Sequence, residues 1–292
     1  MKKILITGAN SYIGISFENH LKKWNARYQV DTVDMMGESW KEKSFSGYDA
    51  VYHVAGIAHS DNGKISPEKA ALYYQVNTHL AIETAKKAKT EGVRQFIYMS
   101  SAIVYGNSAP VGKQKVITRD TQPAPANSYG DSKLQAELGL IPMQDENFRV
   151  VILRPPMVYG KGSKGNYPVL SKLAQKLPVF PVVNNQRSMI YIENLVEFVR
   201  LMIENEEQGI FWPQNEEYSN TTELVSMIAA AHGKKILLIP GLSWALKILS
   251  YVTDLVNKAF GSLAYEKEMS WYRVPYCRKS LAESIKETEG IL

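Results

Sequence analysis

The fold turns on Lys2-Lys3-Ile4-Leu5-Ile6-Thr7-Gly8-Ala9-Asn10-Ser11-Tyr12-Ile13-Gly14. Residues 2–7 read as a buried strand, Gly8 to Gly14 as a turn, and the residues beyond as an amphipathic helix to about Trp24. Strand, glycine turn and helix form the context in which such a loop cradles a dinucleotide. Gly8 permits the tight turn, Gly14 lets helix pack on strand, and the helix N-terminus faces a pyrophosphate. Ser11 stands where such loops usually carry a second glycine. Its side chain crowds the approach of backbone to phosphate, while its hydroxyl can cap the helix or bond the phosphate. Gln29 to Asp34 reads as the second strand and ends in an acid. A carboxylate there accepts from a ribose 2′-hydroxyl and repels a 2′-phosphate, so Asp34 favours NAD over NADP, with Asp31 as its rival.

Working outward, Asp49 to Gly56 is a strand ending in small residues, and residues 67–91 form a long helix containing Asn77. Gln95 to Ser100 is a buried strand followed by Ser101-Ala102-Ile103-Val104-Tyr105-Gly106, and Phe148 to Leu153 is a further strand followed by Arg154-Pro155-Pro156-Met157. This alternation predicts an α/β fold with a doubly wound parallel sheet over residues 1–160, to which a strand at Ser188–Ile192 and a helix to Glu204 return. Residues 161–187 and 206–292 read as a smaller, mostly helical substrate lobe. Within it, Leu242 to Phe260 carries an amphipathic stripe (Trp244, Ile248, Leu249, Val252, Leu255, Val256, Phe260). Lys247, Asp254 and Lys258 interrupt the stripe without forming a strongly basic face, which favours lobe core over a membrane-surface helix.

Tyr129-Gly130-Asp131-Ser132-Lys133 opens the helix after the Pro123-Ala124-Pro125 loop. Tyrosine and lysine four apart share a helix face. An ammonium beside a phenol favours the phenolate, so the spacing predicts that Lys133 lowers the Tyr129 pKa toward neutrality. Ligands of open parallel sheets lie outside the carboxyl ends of strands, which places Ser101 to meet Tyr129.

Composition excludes several classes. The chain has 292 residues, 45% hydrophobic and 22% charged, with net charge +5. Its lysines and arginines are scattered, which fits an anionic small ligand and not a nucleic-acid arm. The single cysteine, Cys277, rules out an internal disulfide and fits a reducing, cytoplasmic setting. Lys2 and Lys3 look like a signal-peptide start, but the apolar run after them is too short, and no stretch is long enough to span a bilayer. His53 and His59 read as structural or solvated, since no third ligand has metal-site spacing.

The glycine loop, Ser100-Ser101-Ala-x-Val-Tyr-Gly, Tyr129-x-x-x-Lys133 and Leu153-Arg154-Pro155 occur in an order that resembles the extended short-chain dehydrogenase/reductases, nearest the nucleotide-sugar epimerases of the UDP-glucose 4-epimerase type. The resemblance covers nearly the whole chain and is weakest after about residue 206. It implies a Rossmann-type domain, NAD as cofactor, a UDP-linked sugar as substrate and a homodimer formed through the helices near 67–91 and 129–140. It makes Tyr129 the acid/base, Ser101 the hydroxyl that holds the reacting sugar oxygen, and Lys133 the holder of the nicotinamide ribose. Gly8, Ser11, Tyr12, Ile13 and Gly14 fall on the pyrophosphate loop. Ala55, Gly56, Asn77 and Pro156 fall beside the cofactor. Asn166, Arg187 and Arg273 resemble diphosphate ligands, and Val179-Phe180 the segment lining the uracil. Two departures stand out: Met35 to Tyr48 is short, and Met157 replaces an asparagine of the UDP-glucose 4-epimerases. A 4-keto-sugar reductase uses the same residues once, with NAD(P)H consumed, and a non-catalytic NAD-binding regulator is a further alternative. A 4,6-dehydratase needs an Asp-Glu pair where this chain has Ala102 and Ile103, which cannot transfer protons.

Overall fold

The computed structural model describes residues 1–58, 65–250 and 254–291; His59 lies outside them. In chain order the elements are β1 Lys2–Thr7, α1 Tyr12–Lys22, β2 Tyr28–Val33, β3 Ala50–His53, α2 Pro67–Tyr73, α3 Leu80–Thr90, β4 Gln95–Met99, β5 Val116–Ile117, α4 Ser128–Leu140, β6 Arg149–Leu153 and β7 Met157–Tyr159. There follow α5 Asn166–Lys176, β8 Val179–Pro181, β9 Met189–Tyr191, α6 Ile192–Glu204, β10 Gly209–Phe211, α7 Thr221–Ala231, β11 Leu237–Ile239, α8 Ser243–Ser250, α9 Asp254–Phe260, β12 Ala264–Tyr265 and α10 Leu281–Thr288.

Contacts divide the chain into two compact units. The first comprises residues 1–106, 123–155 and 195–213 and holds a six-stranded sheet in the order β10-β6-β4-β3-β1-β2. Every neighbouring pair in it is parallel. A parallel sheet covered by helices on both faces asks for strands without polar alternation. Ile4, Leu5 and Ile6, Val51 and Tyr52, Phe96 to Tyr98, and Val151 to Leu153 meet that demand and are fully buried. Burying each such side chain contributes about 1.5–3 kcal/mol.

The helix expected over 67–91 is interrupted. Tyr74–His79 form a π-helical segment between α2 and α3. The wider turn sets Asn77 fully inside the unit. The strand expected to return at 188–192 does not join the main sheet. Met189–Tyr191 pair with Met157–Tyr159 in a separate two-stranded sheet, and β10 takes the sheet edge beside β6. The three-residue run Gly209-Ile210-Phe211 is too short to show strand periodicity in the sequence.

The second unit comprises residues 107–122, 156–194 and 214–292, with short parallel pairs β8/β11, β5/β12 and β7/β9. The stripe expected over 242–260 is divided between α8 and α9 and is only partly core. Leu246, Val256 and Phe260 pack with Val111 and Val183. Trp244 and Ile248 are exposed, because they lie on the side of α8 away from Leu246; Leu249, on the Leu246 side, is exposed as well. Val252 and the side chain of Leu255 lie outside the described residues.

Candidate active site

The first unit gathers Gly8, Ser11, Tyr12, Ile13, Gly14, Asp34, Ala55, Gly56, Asn77, Ser101, Tyr129 and Lys133, all at or beyond the carboxyl ends of β1 to β4 or on the helices that follow. Gly8 has φ +99°, and a Cβ there would stand 2.8 Å from the Ala55 nitrogen. Only glycine lets the β1 turn pass this close to the end of β3. Ser11 is the N-cap of α1: its Oγ accepts from the Gly14 nitrogen at 3.1 Å. A side chain at Gly14 would meet that hydroxyl at 2.7 Å. The serine in place of a glycine is thus used in the turn itself. The Tyr12 hydroxyl is buried with no hydrogen-bond partner among the described residues, and burial raises its pKa well above the usual value. An unpaired buried hydroxyl at a helix N-terminus asks for a ligand group.

Asp34 follows β2 directly and is exposed, with Oδ1 accepting from the Met36 nitrogen at 3.0 Å. Its rival Asp31 lies within β2 and accepts from the Tyr48 hydroxyl at 2.5 Å. A tight glycine turn, a helix N-terminus, an orphan hydroxyl and an exposed acid past the second strand together fit the pyrophosphate and adenosine ribose of NAD.

Asn77 binds this cradle to the helix of the tyrosine. Its Oδ1 accepts from the Ile57 nitrogen at 2.9 Å, and its Nδ2 donates to the Ile57 oxygen at 3.2 Å and to Ser132 Oγ at 3.1 Å. A Cβ on Gly56 would stand 3.0 Å from Asn77 Oδ1 and 3.2 Å from Lys133 Nζ. Gly56 therefore leaves open the space between the loop and the lysine.

Helix α4 begins where Asn127 caps it, Oδ1 accepting from the Gly130 nitrogen at 2.9 Å. This fixes Tyr129 in the first turn. Ser101 is held extended because its neighbours continue the pairing with β6: the Ser100 nitrogen donates to the Leu153 oxygen and the Ala102 nitrogen to the Pro155 oxygen. The Ser101 side chain hydrogen-bonds Tyr129, which lowers the phenol pKa, but burial dominates and pushes it up to about 12, with Tyr73 adding to the rise. Lys133 is buried, donates from Nζ to the Met99 oxygen at 2.9 Å, and lies 4.9 Å from the centre of the Tyr98 ring. Burial brings its pKa down to about 8, against an opposing pull from Glu137.

The expectation that Lys133 lowers the Tyr129 pKa is corrected. Desolvation controls both groups, and the ammonium is spent on a main-chain carbonyl and a ring face. His53 is structural: fully buried, with Nδ1 2.7 Å from Thr7 Oγ1. No group of three or more His, Cys, Asp or Glu residues able to hold a metal occurs among the described residues.

The sequence reading missed the network behind the site. Glu137, one turn past Lys133, accepts from Arg154 and from Ser100 Oγ, and Arg154 Nη1 donates to the Tyr105 hydroxyl at 2.7 Å. The 129-133-137 spacing on one helix and the arginine of Leu153-Arg154-Pro155 were its available signals.

The remaining expected residues lie in the second unit. Asn166 opens α5 and is exposed. Val179 is exposed, whereas Phe180 is buried with its ring 5.7 Å from that of Phe260. Arg187 donates from Nη1 to the oxygens of Lys258 and Ala259 at 2.6 and 3.1 Å. Arg273 is exposed and stacks over Tyr272, and Pro156 precedes β7.

Residues 4–212 match the model of the NAD dependent epimerase/dehydratase family. The chain belongs to that family. It is 30% identical to a UDP-glucose 4-epimerase of Vibrio cholerae over 98% of this chain and 94% of that one. It is 27% identical to the N-acetyl-alpha-D-glucosaminyl-diphospho-ditrans,octacis-undecaprenol 4-epimerase of Escherichia coli O157:H7 over 88% of this chain and 81% of that one. In fold it resembles the UDP-glucuronic acid 4-epimerase of Bacillus cereus solved with NAD, with TM-score 0.73, 19% identity and coverage of 99% and 98%. The family is one of NAD-dependent enzymes, which agrees with the glycine turn, the orphan Tyr12 hydroxyl and the acid after β2. No helix of the described residues is long and apolar enough to cross a membrane.

Proposed function

We propose that this chain is an NAD-dependent 4-epimerase of diphosphate-linked sugars, acting on a UDP-hexose or UDP-N-acetylhexosamine by transient oxidation at C4. The Ser101–Tyr129 hydrogen bond at the end of β4, with Lys133 one turn on, is the observation that carries this reading. When bound, NAD supplies the acceptor for the C4 hydride and the donor for its return. Tyr129 takes the proton of the 4-hydroxyl as the carbonyl forms, and gives it back to the oxygen when the 4-keto sugar is reduced on its other face. Ser101 orients that oxygen, and Lys133 holds the nicotinamide ribose. Gly8 to Gly14, Asp34, Ala55, Gly56, Asn77 and Pro156 form the cofactor cradle. Arg187, Asn166 and Arg273 bind the diphosphate, while Val179 and Phe180 line the base.

The carrier beyond the diphosphate is a nucleoside in one similar protein and a polyprenol in another. Exposed Leu72 and Leu138 on α2 and α4 support a homodimer through these helices, which light scattering tests.

A second reading, reduction of a nucleotide 4-keto sugar, is favoured by Met157 in place of the family's asparagine. Incubating the purified protein with UDP-GlcNAc and with UDP-glucose, without added cofactor, and following the sugar protons by NMR separates the two. Appearance of the galacto epimer, abolished by Tyr129→Phe, supports the epimerase. Silence even with added NAD, together with oxidation of NAD(P)H by a 4-keto-6-deoxy nucleotide sugar, replaces it with the reductase.

A further inference from the structure

The second unit presents an apolar surface that its core does not use among the described residues. Among the described residues, helix α8 packs through Leu246 against Val111, Val183 and Val256. Its other side holds Trp244, 66% exposed, and Ile248, 61% exposed, one turn apart. The strand leading into the helix, β11, adds Leu237, 65% exposed. Isolated surface leucines need no explanation, but a tryptophan-centred stripe continued by a neighbouring strand calls for an occupant.

Charge identifies the occupant. Residues 161–192 and 224–253, which include α5, β8, β11 and α8, contain seven lysines besides Arg187 and not one aspartate or glutamate, although the chain as a whole carries 29 acids. Lys235 and Lys247 are exposed beside the stripe. A second copy of this chain is a poor match, since two-fold self-pairing would set Lys235 and Lys247 of one copy against those of the other. An anionic bilayer surface satisfies both features at once. Tryptophan suits the boundary between headgroup and acyl chain, aliphatic side chains enter it, and lysines meet the phosphates.

We propose that the α8 face, with Leu237 of β11, docks this protein on a lipid bilayer bearing anionic headgroups. Docking is interfacial and goes beyond the proposed reaction, on which it does not depend.

The test is co-sedimentation of the full chain with extruded vesicles of phosphatidylglycerol and phosphatidylcholine, and with phosphatidylcholine alone. Binding to the mixed vesicles, weakening as salt is raised, is expected. Lys235→Gln and Lys247→Gln should each cost about fivefold in partition. Trp244→Ser with Ile248→Ser should cost at least about tenfold while thermal melting and sugar turnover stay unchanged. Failure to pellet with anionic vesicles overturns the proposal. So does equal pelleting with neutral vesicles, or equal pelleting of the Trp244→Ser/Ile248→Ser variant. A fall in oligomer size in that variant, without vesicle binding by the parent, would replace the bilayer with a second copy.

Discussion

Arg154 closes on both carboxylate oxygens of Glu137, its Nε 3.1 Å from each and its Nη2 2.5 Å from Oε2, with both side chains buried. The pair ties the end of β6 to the helix of Tyr129 and Lys133, and the Glu137 bond to Ser100 extends the tie to the residue before Ser101. Removing one partner strands a buried charge, which costs about 3–5 kcal/mol. Glu137→Gln should therefore lower the unfolding free energy by that amount in denaturant titration. Glu137→Leu combined with Arg154→Met should recover a large part of it, because neither charge is then left alone. Turnover should stay depressed in the recovered double variant, since Ser100 loses its acceptor.

Gly8 and Ser11 make opposite predictions within one loop. At φ +99° an alanine costs about 1–2 kcal/mol from its backbone alone, and its Cβ would stand 2.8 Å from the Ala55 nitrogen. Gly8→Ala should lower the melting temperature and erase the upward shift on adding NAD. Ser11→Gly removes only a cap and should cost a few tenths of a kcal/mol, with the NAD shift kept. Equal loss of that shift in both variants would mean that the Ser11 hydroxyl serves the phosphate as well as the helix.

His53 sets an acid limit on folding. Burial, with Lys133 adding to it, brings its pKa down to about 3. In the unfolded chain an imidazole takes a proton below about 6.5, so between those values the unfolded state binds more protons and stability falls as pH falls. The slope from this one group approaches about 1.4 kcal/mol per pH unit within the window. His53→Phe keeps an aromatic ring among Phe96 and Tyr98, whose centroids lie 5.7 and 6.0 Å away. It should lose stability at neutral pH through the unpaired Thr7 hydroxyl, and show a shallower decline from pH 6.5 to 3.

The parallel sheet was legible because its strands are short apolar runs, each followed by small or polar residues and then a helical period. The sequence reading reached Gly8, Tyr129 and Ser101 for the same reason, since each stands at a boundary between such patterns. What it could not reach depends on packing. The direction of the Tyr129 and Lys133 pKa values follows from how deeply α4 is covered, and sequence spacing holds no record of burial. The π turn at 74–79 leaves the period of the helix almost unchanged, yet it decides where Asn77 points. Met189–Tyr191 read as a strand correctly, but a strand's partner is set by tertiary contacts. The stripe over 242–260 shows amphipathicity without saying which side faces inward.

Arg187 offers the sharpest test of substrate binding. Its guanidinium donates to the Lys258 and Ala259 oxygens at the end of α9, and no carboxylate pairs with it among the described residues. Burial lowers its pKa to about 10, so it remains charged at neutral pH. Two carbonyls satisfy part of the fork and leave its net charge uncompensated, which suits the diphosphate role proposed for it. A charge-assisted hydrogen bond contributes about 1.5–3 kcal/mol, so Arg187→Met should weaken UDP binding by roughly 10- to 150-fold in calorimetry while leaving NAD affinity alone. Arg187→Lys should restore part of the charge but not the fork, and recover only part of the affinity. If UDP binds Arg187→Met as tightly as the parent, the guanidinium serves the helix end only, and the loss should then appear as a lower melting temperature without a change in affinity.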